Sequence, residues 1–248
     1  MAEQEIHFFD KDYNYEKGPD WYARFFERVT TQSIVAEKTP EYLWANGRGG
    51  KGVHSHNPDV HRRIKSHFPD ARFIVVLRDP VRRALSAANH VLSYGYISPS
   101  YSLESVLFGS KRHIGNAFGL LGKGLYAECL EAFFELFDRS RFLILGFEDD
   151  LCSKPKETMT KVCDFLSLAP FKFAQLDQRE NQVQASLAGM WVRYLFPRFK
   201  KCAHFLDQRL SAHRASASQS LKARLCEFYR PQNERLFTLL QTRYGGWS

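Results

Sequence analysis

Arg72-Phe73-Ile74-Val75-Val76-Leu77-Arg78-Asp79-Pro80-Val81-Arg82-Arg83-Ala84-Leu85-Ser86 is the stretch on which the reading of this chain turns. Phe73 to Leu77 is an unbroken apolar run of strand length, the pattern of a fully buried strand. Arg78-Asp79-Pro80 ends it and opens a helix, because Asp79 is a strong N-cap residue and Pro80 suits the first helical position. A strand feeding a helix N-terminus points free backbone N–H groups and the positive dipole end at one spot, which suits a phosphate. Arg78 adds a planar fork that grips oxyanions through two bonds. Ser86, farther along the helix, can present a hydroxyl to the same anion.

Outward from this stretch, strands and helices alternate. Short strands are expected at Ser33–Ala36 and Phe142–Phe147. Helices are expected at Asp20–Arg28, Pro58–Ser66, Pro80–Leu92, Gly124–Phe137, Lys154–Leu166 and Gln219–Thr242. In the third of these, Ala84, Leu85, Ala88, Val91 and Leu92 recur at helical spacing as an apolar face. Such alternation predicts an α/β fold with a largely parallel central sheet flanked by helices. Ligands of such sheets bind at the C-terminal strand ends, where Lys38 and Arg78 both fall. Residues 177–218 resist assignment. Met190–Phe199 is aromatic and basic, and Ser211–Ser220 reads as a polar loop; the segment caps a cleft or is an insertion.

Composition narrows the classes of function. With 248 residues, 44% apolar and 25% charged, the chain can bury a core and reads as one domain. The net charge of +8 favours an anionic partner. Nucleic acid is disfavoured, since no groove-reading motif or zinc-finger spacing is present. No apolar run approaches the roughly 20 residues of a membrane helix. The five cysteines are scattered without Cys-x-x-Cys or His/Cys spacing, so no metal is expected, and Cys129 and Cys163 read as core thiols. A P-loop, a GxGxxG fingerprint and a Ser-His-Asp order are all missing, which argues against kinase, dehydrogenase and hydrolase. His54, His56, His61, Arg62, Arg63 and Lys65 read as a solvated basic helix face.

Strand-Arg78-Asp79-Pro80-x-x-Arg83-x-x-Ser86 resembles the 3′-phosphate-binding segment of sulfotransferases that use 3′-phosphoadenosine 5′-phosphosulfate (PAPS). Glu5-Ile6-His7-Phe8-Phe9-Asp10, Glu37-Lys38-Thr39-Pro40-Glu41-Tyr42, Leu125-Tyr126-Ala127-Glu128, Phe147-Glu148-Asp149-Asp150-Leu151 and Tyr229-Arg230-Pro231-Gln232-Asn233-Glu234 resemble further family segments, in family order. The resemblance is closest to the heparan sulfate glucosaminyl 3-O-sulfotransferases, with the N-sulfotransferase domain next. It implies a P-loop-NTPase-like fold and a sulfuryl transfer from PAPS to a glycan hydroxyl or glucosamine nitrogen, without a metal. An anionic polysaccharide or another glycan is the implied acceptor. The implied location is the Golgi lumen if an anchor lies upstream, and the cytoplasm otherwise.

The chain also departs from the family. There, a first strand and a glycine-rich, lysine-bearing loop that holds the 5′-phosphosulfate precede the Glu-x-His-Phe-Phe segment, which here begins at Glu5. The expectation is therefore a single sulfotransferase-like domain over 1–248, N-terminally incomplete. Gly47–Gly52 reads as a surface loop rather than a substitute for the missing loop, and the family's late donor loop is not recognisable between Asp177 and Gln219. A degenerate relative that binds anionic glycan or nucleotide without catalysis is the alternative.

The resemblance assigns Glu5 as general base, and alternation along an extended strand would put His7 on the same face. Asp10 orients His7 or meets substrate. Lys38 neutralises the moving sulfonate, while Arg78 and Ser86 hold the donor's 3′-phosphate. His7, Asp10, Lys11, Thr39 and His90 are the expected acceptor-side residues; His90 shares a helix face with Ser86 one turn away. Glu148 and Asp149 are expected to make structural contacts at the sheet end, and Arg82 and Arg83 to be surface or structural charges.

Overall fold

The computed structural model describes residues 5–27, 34–45, 47, 55–171, 173 and 185–247. At its centre β1 (Phe73–Leu77) pairs in parallel with β2 (Phe142–Gly146), Phe73 opposite Phe142 and Leu77 opposite Gly146. Helices α1 (Asp12–Tyr15), α2 (Gly18–Ala23) and α3 (Val60–His67) precede β1. The crossover that any parallel pair requires carries α4 (Pro80–Ser93), α5 (Leu103–Leu107), α6 (Arg112–Ala117) and α7 (Tyr126–Phe134). After β2 come α8 (Pro155–Leu166), α9 (Leu187–Leu195), α10 (Lys200–Arg209) and α11 (Gln219–Leu240).

The strand is not buried on both faces as expected. Val75 and Leu77 are buried against Tyr126, Leu130, Leu236 and Phe237, whereas Ile74 and Val76 are 42% and 44% exposed among the described residues. One face carries the packing. The turn into α4 does follow the expected chemistry: Pro80 starts the helix and the Asp79 carboxylate accepts from Arg82 N at 2.9 Å. Val81, Ala84, Ala88, Val91 and Leu92 then bury against α5 and α11, with Leu85 only partly covered. Tyr126, at the start of α7, donates its hydroxyl to Arg78 O at 3.0 Å and so pins the strand end.

Helix α4 closes with Gly95 in the left-handed region (φ 72°). Gly95 N donates to Leu92 O and Tyr96 N to Val91 O, the two bonds of a Schellman cap. A Cβ at Gly95 would lie 2.7 Å from the Arg193 and Tyr194 backbone of α9. Gly95→Ala is therefore expected to cost about 1–3 kcal/mol from the backbone conformation alone, read as a lower urea midpoint; an unchanged midpoint would show that the left-handed turn is not held there.

The expected strand at Ser33–Ala36 is not formed over its described part. Val35 is 48% exposed, residues 34–39 belong to no strand, and the Glu37 carboxylate accepts from Thr39 and Tyr42. Ser33 lies outside the described residues, as do His54 and residues 48–52 of the glycine-rich loop. The basic face around α3 is corrected as well, since His56 and His61 are 8% and 2% exposed and belong to the interior. Cys129 and Cys163 are buried as expected, and all five cysteines are free thiols.

Residues 185–217 form an ordered unit. α9 and α10 pack together, a bridge joins Ser186 to Ala212, and Asp207 accepts from Ser186 N and from Arg193. Asn89 of α4 exchanges two hydrogen bonds with the Ala215 backbone, at 2.8 and 3.2 Å. The unit is thus fixed to the same helix that carries Ser86 and His90. Of the region the sequence left unread, residues 177–184 lie outside the described residues.

Candidate active site

Glu5, His7 and Lys38 come together at one end of the N-terminal segment. Glu5 lies 3.5 Å from His7 Nε2 and 3.7 Å from Lys38 Nζ. His90 is exposed on the last turns of α4, near enough for the Glu5 charge to act on it. Partial desolvation by the protein on one side of the ring lowers the His90 pKa below its ordinary value, and Glu5 opposes that shift.

The backbone route to this cluster differs from the expected strand. His7 has φ 54°, so Glu5-Ile6-His7 turns rather than running extended. An L-residue in that conformation costs about 1–3 kcal/mol and persists where its surroundings fix it. Here Ile6, Phe8 and Phe9 are buried among Tyr15, Trp21, Tyr22 and Phe26. Phe8 N and Phe9 N donate to the Tyr42 hydroxyl at 2.9 and 3.3 Å, and that hydroxyl donates to Glu37 at 2.6 Å. Tyr22 and Thr39 donate to the same carboxylate. Burial and the Glu37 charge push the Tyr22 and Tyr42 pKa values up, so both phenols remain donors.

Behind His7 runs a buried chain of charges. Asp10 is fully buried and lies 3.0 Å from His7 Nδ1, 3.2 Å from Lys11 Nζ and 3.8 Å from His56 Nδ1. Lys11 donates to Glu41 at 2.7 Å and to Ser55 O, and Glu41 also pairs with Lys123. Burial alone would raise Asp10, but His56, His7 and Lys11 hold it well below the usual carboxylate range. Burial also opposes the Lys11 charge, and Glu41 with Asp10 outweighs it, so Lys11 is raised. Lys123 is lowered because burial outweighs its Glu41 contact.

The hydrogen bond to Asp10 raises the His7 pKa above its ordinary value. A raised histidine contributes stability in full below its unfolded pKa of about 6.5 and loses it as pH rises through the folded value. His90 has the opposite sign, costing stability as pH falls through about 6.5. Asp10, depressed, loses its contribution only as pH falls below about 3.9. Denaturant midpoints should therefore show the parent losing its advantage over His7→Gln on going from about pH 6 to about pH 9. A constant difference across that range would mean that the His7 charge does not contribute.

At the other end of the site, Arg78 directly follows the last residue of β1. Its Nε is 3.5 Å from Glu148 Oε1, and its guanidinium lies 5.1 Å from the Phe147 ring centroid. Glu148 also accepts from Asp79 N at 3.3 Å and stands 3.9 Å from Arg82. A carboxylate thus occupies the helix N-terminus that the sequence reading reserved for a phosphate. Arg78 Nε is buried without a hydrogen-bond partner, as is Glu148 Oε1. The residues fit an oxyanion that would complete the guanidinium's bonding. Ser86 is half-buried on α4, about two turns past Asp79.

Of the expected site residues, Glu5, His7, Lys38 and His90 share one surface. Lys38 does not follow a buried strand, and its side chain is 73% exposed. Asp10, Lys11 and Thr39, expected on the acceptor side, are buried. Arg82 is mostly exposed, and Arg83 donates to Leu120 O, as structural charges would. Glu41, His56 and Lys123 were missed. The available signals were Glu41 inside the Glu37–Tyr42 segment and a lysine flanked by Gly122 and Gly124.

A parallel strand end, an arginine at a helix N-terminus and a carboxylate beside a lysine are all present in this chain. Residues 3–172 match the sulfotransferase family, and the chain belongs to that family. It is 30% identical over 246 residues to human heparan sulfate glucosamine 3-O-sulfotransferase 6, covering 97% of this chain and 64% of that protein. It is 29% identical over 250 residues to the mouse heparan sulfate glucosamine 3-O-sulfotransferase 3B1, covering 97% and 56%. The chain therefore spans between about half and two thirds of these curated relatives. The crystal structure of a sulfotransferase from Alicyclobacillus acidocaldarius superposes with a TM-score of 0.65 at 20% identity, covering 99% of this chain and 86% of that one, and it supports the α/β fold with helices around a parallel sheet.

Proposed function

We propose that this chain transfers the sulfuryl group of PAPS to a hydroxyl or glucosamine nitrogen of a heparan sulfate-like glycan. The observation that carries this reading is the Glu5 carboxylate held beside His7 and Lys38. Glu5 takes the acceptor proton as the acceptor oxygen or nitrogen bonds to sulfur. The bond from sulfur to the 5′-phosphate oxygen breaks, and 3′-phosphoadenosine 5′-phosphate leaves. Lys38, free to swing at 73% exposure, compensates the charge on the sulfonate oxygens and the leaving phosphate. His7, oriented by Asp10, keeps Glu5 in place and carries positive charge toward the acceptor. His90 lines the acceptor side, and Lys11 and Thr39 act from behind it as positioning groups. As in phosphoryl transfer, positioning and electrostatics supply the rate, and no metal is invoked.

Arg78 and Ser86 hold the 3′-phosphate, with Glu148 yielding its place at the α4 N-terminus. Arg78→Ala should weaken binding of 3′-phosphoadenosine 5′-phosphate by about 1.5–3 kcal/mol, the range for a hydrogen bond to a charged group. Calorimetric titration of the folded variant checks this, and an unchanged affinity would remove Arg78 from the donor site. The function itself is tested by incubating the protein with labelled PAPS and heparan sulfate. Labelled polysaccharide is the expected product. Donor binding without any transfer would favour the non-catalytic relative.

A further inference from the structure

We infer that Tyr94 and Tyr96 form a saccharide-stacking subsite beside the Glu5 cluster, taking a sugar ring of the acceptor next to the reacting one. The inference rests on the proposed glycan acceptor and adds a binding surface that the sequence reading did not assign. A row of rings leads away from the site. His90, which feels the Glu5 charge, lies 4.5 Å from Tyr94 between ring centroids. Tyr94 and Tyr96 are 5.9 Å apart and within 12° of parallel, and Tyr96 and Phe118 follow at 5.8 Å and 27°.

The two tyrosines are 55% and 52% exposed. Two near-parallel, half-open tyrosines on a helix end offer ring surface that a ligand can cover. A sugar ring suits them: its axial C–H bonds, polarised by the ring oxygens, present a weakly positive face to the negative face of the phenol ring. Phenol hydroxyls at the rim can also bond sugar hydroxyls. The platform is preformed, so little entropy is lost on binding. The Schellman bonds from Gly95 and Tyr96 fix the backbone, and Gly95 packs directly against α9. The net charge of +8 favours an anionic glycan.

The test is calorimetric titration with a heparin-derived oligosaccharide in about 0.15 M and about 1 M salt, the higher value cutting the Debye length to about 3 Å and so screening charge attraction beyond that distance. Tyr94→Ala and Tyr96→Ala should each raise Kd about tenfold, and the factor should persist in high salt because stacking is not screened. Tyr94→Phe and Tyr96→Phe should bind within about threefold of the parent, since the ring remains. Unchanged Kd in the alanine variants, an equal loss in the phenylalanine variants, or no saturable oligosaccharide binding by the parent would each overturn the inference. So would a loss of 3′-phosphoadenosine 5′-phosphate affinity in place of oligosaccharide affinity, which would make the rings an adenine platform. Glu5→Gln separates the two proposals. If it leaves transfer intact while the alanine variants lose oligosaccharide binding, the proposed base fails and the stacking surface stands.

Discussion

Glu5→Gln is expected to lower sulfuryl turnover by about 10²–10⁴-fold, the range for removing a general base. The amide keeps the size and hydrogen bonding of the carboxylate but cannot take the acceptor proton. Affinity for 3′-phosphoadenosine 5′-phosphate should stay at the parent value, because the donor is held by the Arg78 end of the site. The carboxylate is partly open, at 41% exposure, so the substitution buries nothing new and the variant should fold. Single-turnover assays with labelled PAPS separate the chemical step from binding and release. Retention of turnover within about tenfold would move the base elsewhere, with His7 and His90 as the neighbouring candidates.

Asp10→Ala carries the largest expected effect on stability, a loss of about 3–5 kcal/mol, because breaking a buried ion pair leaves its partners uncompensated. Asp10 is fully buried and faces His7, Lys11 and His56 together. Lys11 would keep Glu41 and Ser55 O, but the two histidines would lose the charge that orders them. Against a typical domain stability of about 5–15 kcal/mol, such a loss is large enough to read directly from urea midpoints. It should also free His7 from its left-handed conformation and lower the His7 pKa toward about 6.5, which NMR titration of the imidazole would follow. A loss under about 1 kcal/mol would mean that the charge chain is solvated rather than buried.

The two outcomes probe different layers of the same segment. Glu5 touches the proposed reaction, and Asp10 reaches it through His7 while also facing Lys11 and His56. A variant that lowers turnover with no change in stability belongs to the first layer; one that lowers both belongs to the second.

How far the chain could be read in advance differs from element to element. β1 appears at the bounds expected, and α4 and β2 within a residue, because each is fixed by local chemistry: an apolar run of strand length, then an N-cap aspartate and a proline. Residues 187–209 were not legible, since α9 and α10 owe their place to Asp207, Asn89 and Gly95, contacts that join positions far apart in the chain. The exposed face of β1 was likewise invisible, because an apolar run gives the same pattern whether one face or two are covered.

The sequence by itself determined the strand–Arg78–Asp79–Pro80 turn, the order of the family segments and the residue types at the candidate site. Those are short-range facts, set by propensity, capping and the chemistry of side chains a few residues apart. Only the tertiary structure decided that Glu5 meets Lys38 across 33 residues of chain through a turn at His7, that Asp10 and Lys11 lie buried behind it, and that Glu148 stands at the Arg78 end. Each of these depends on burial and on charge pairing between segments distant in sequence, and no local pattern encodes which carboxylate a buried cation will find.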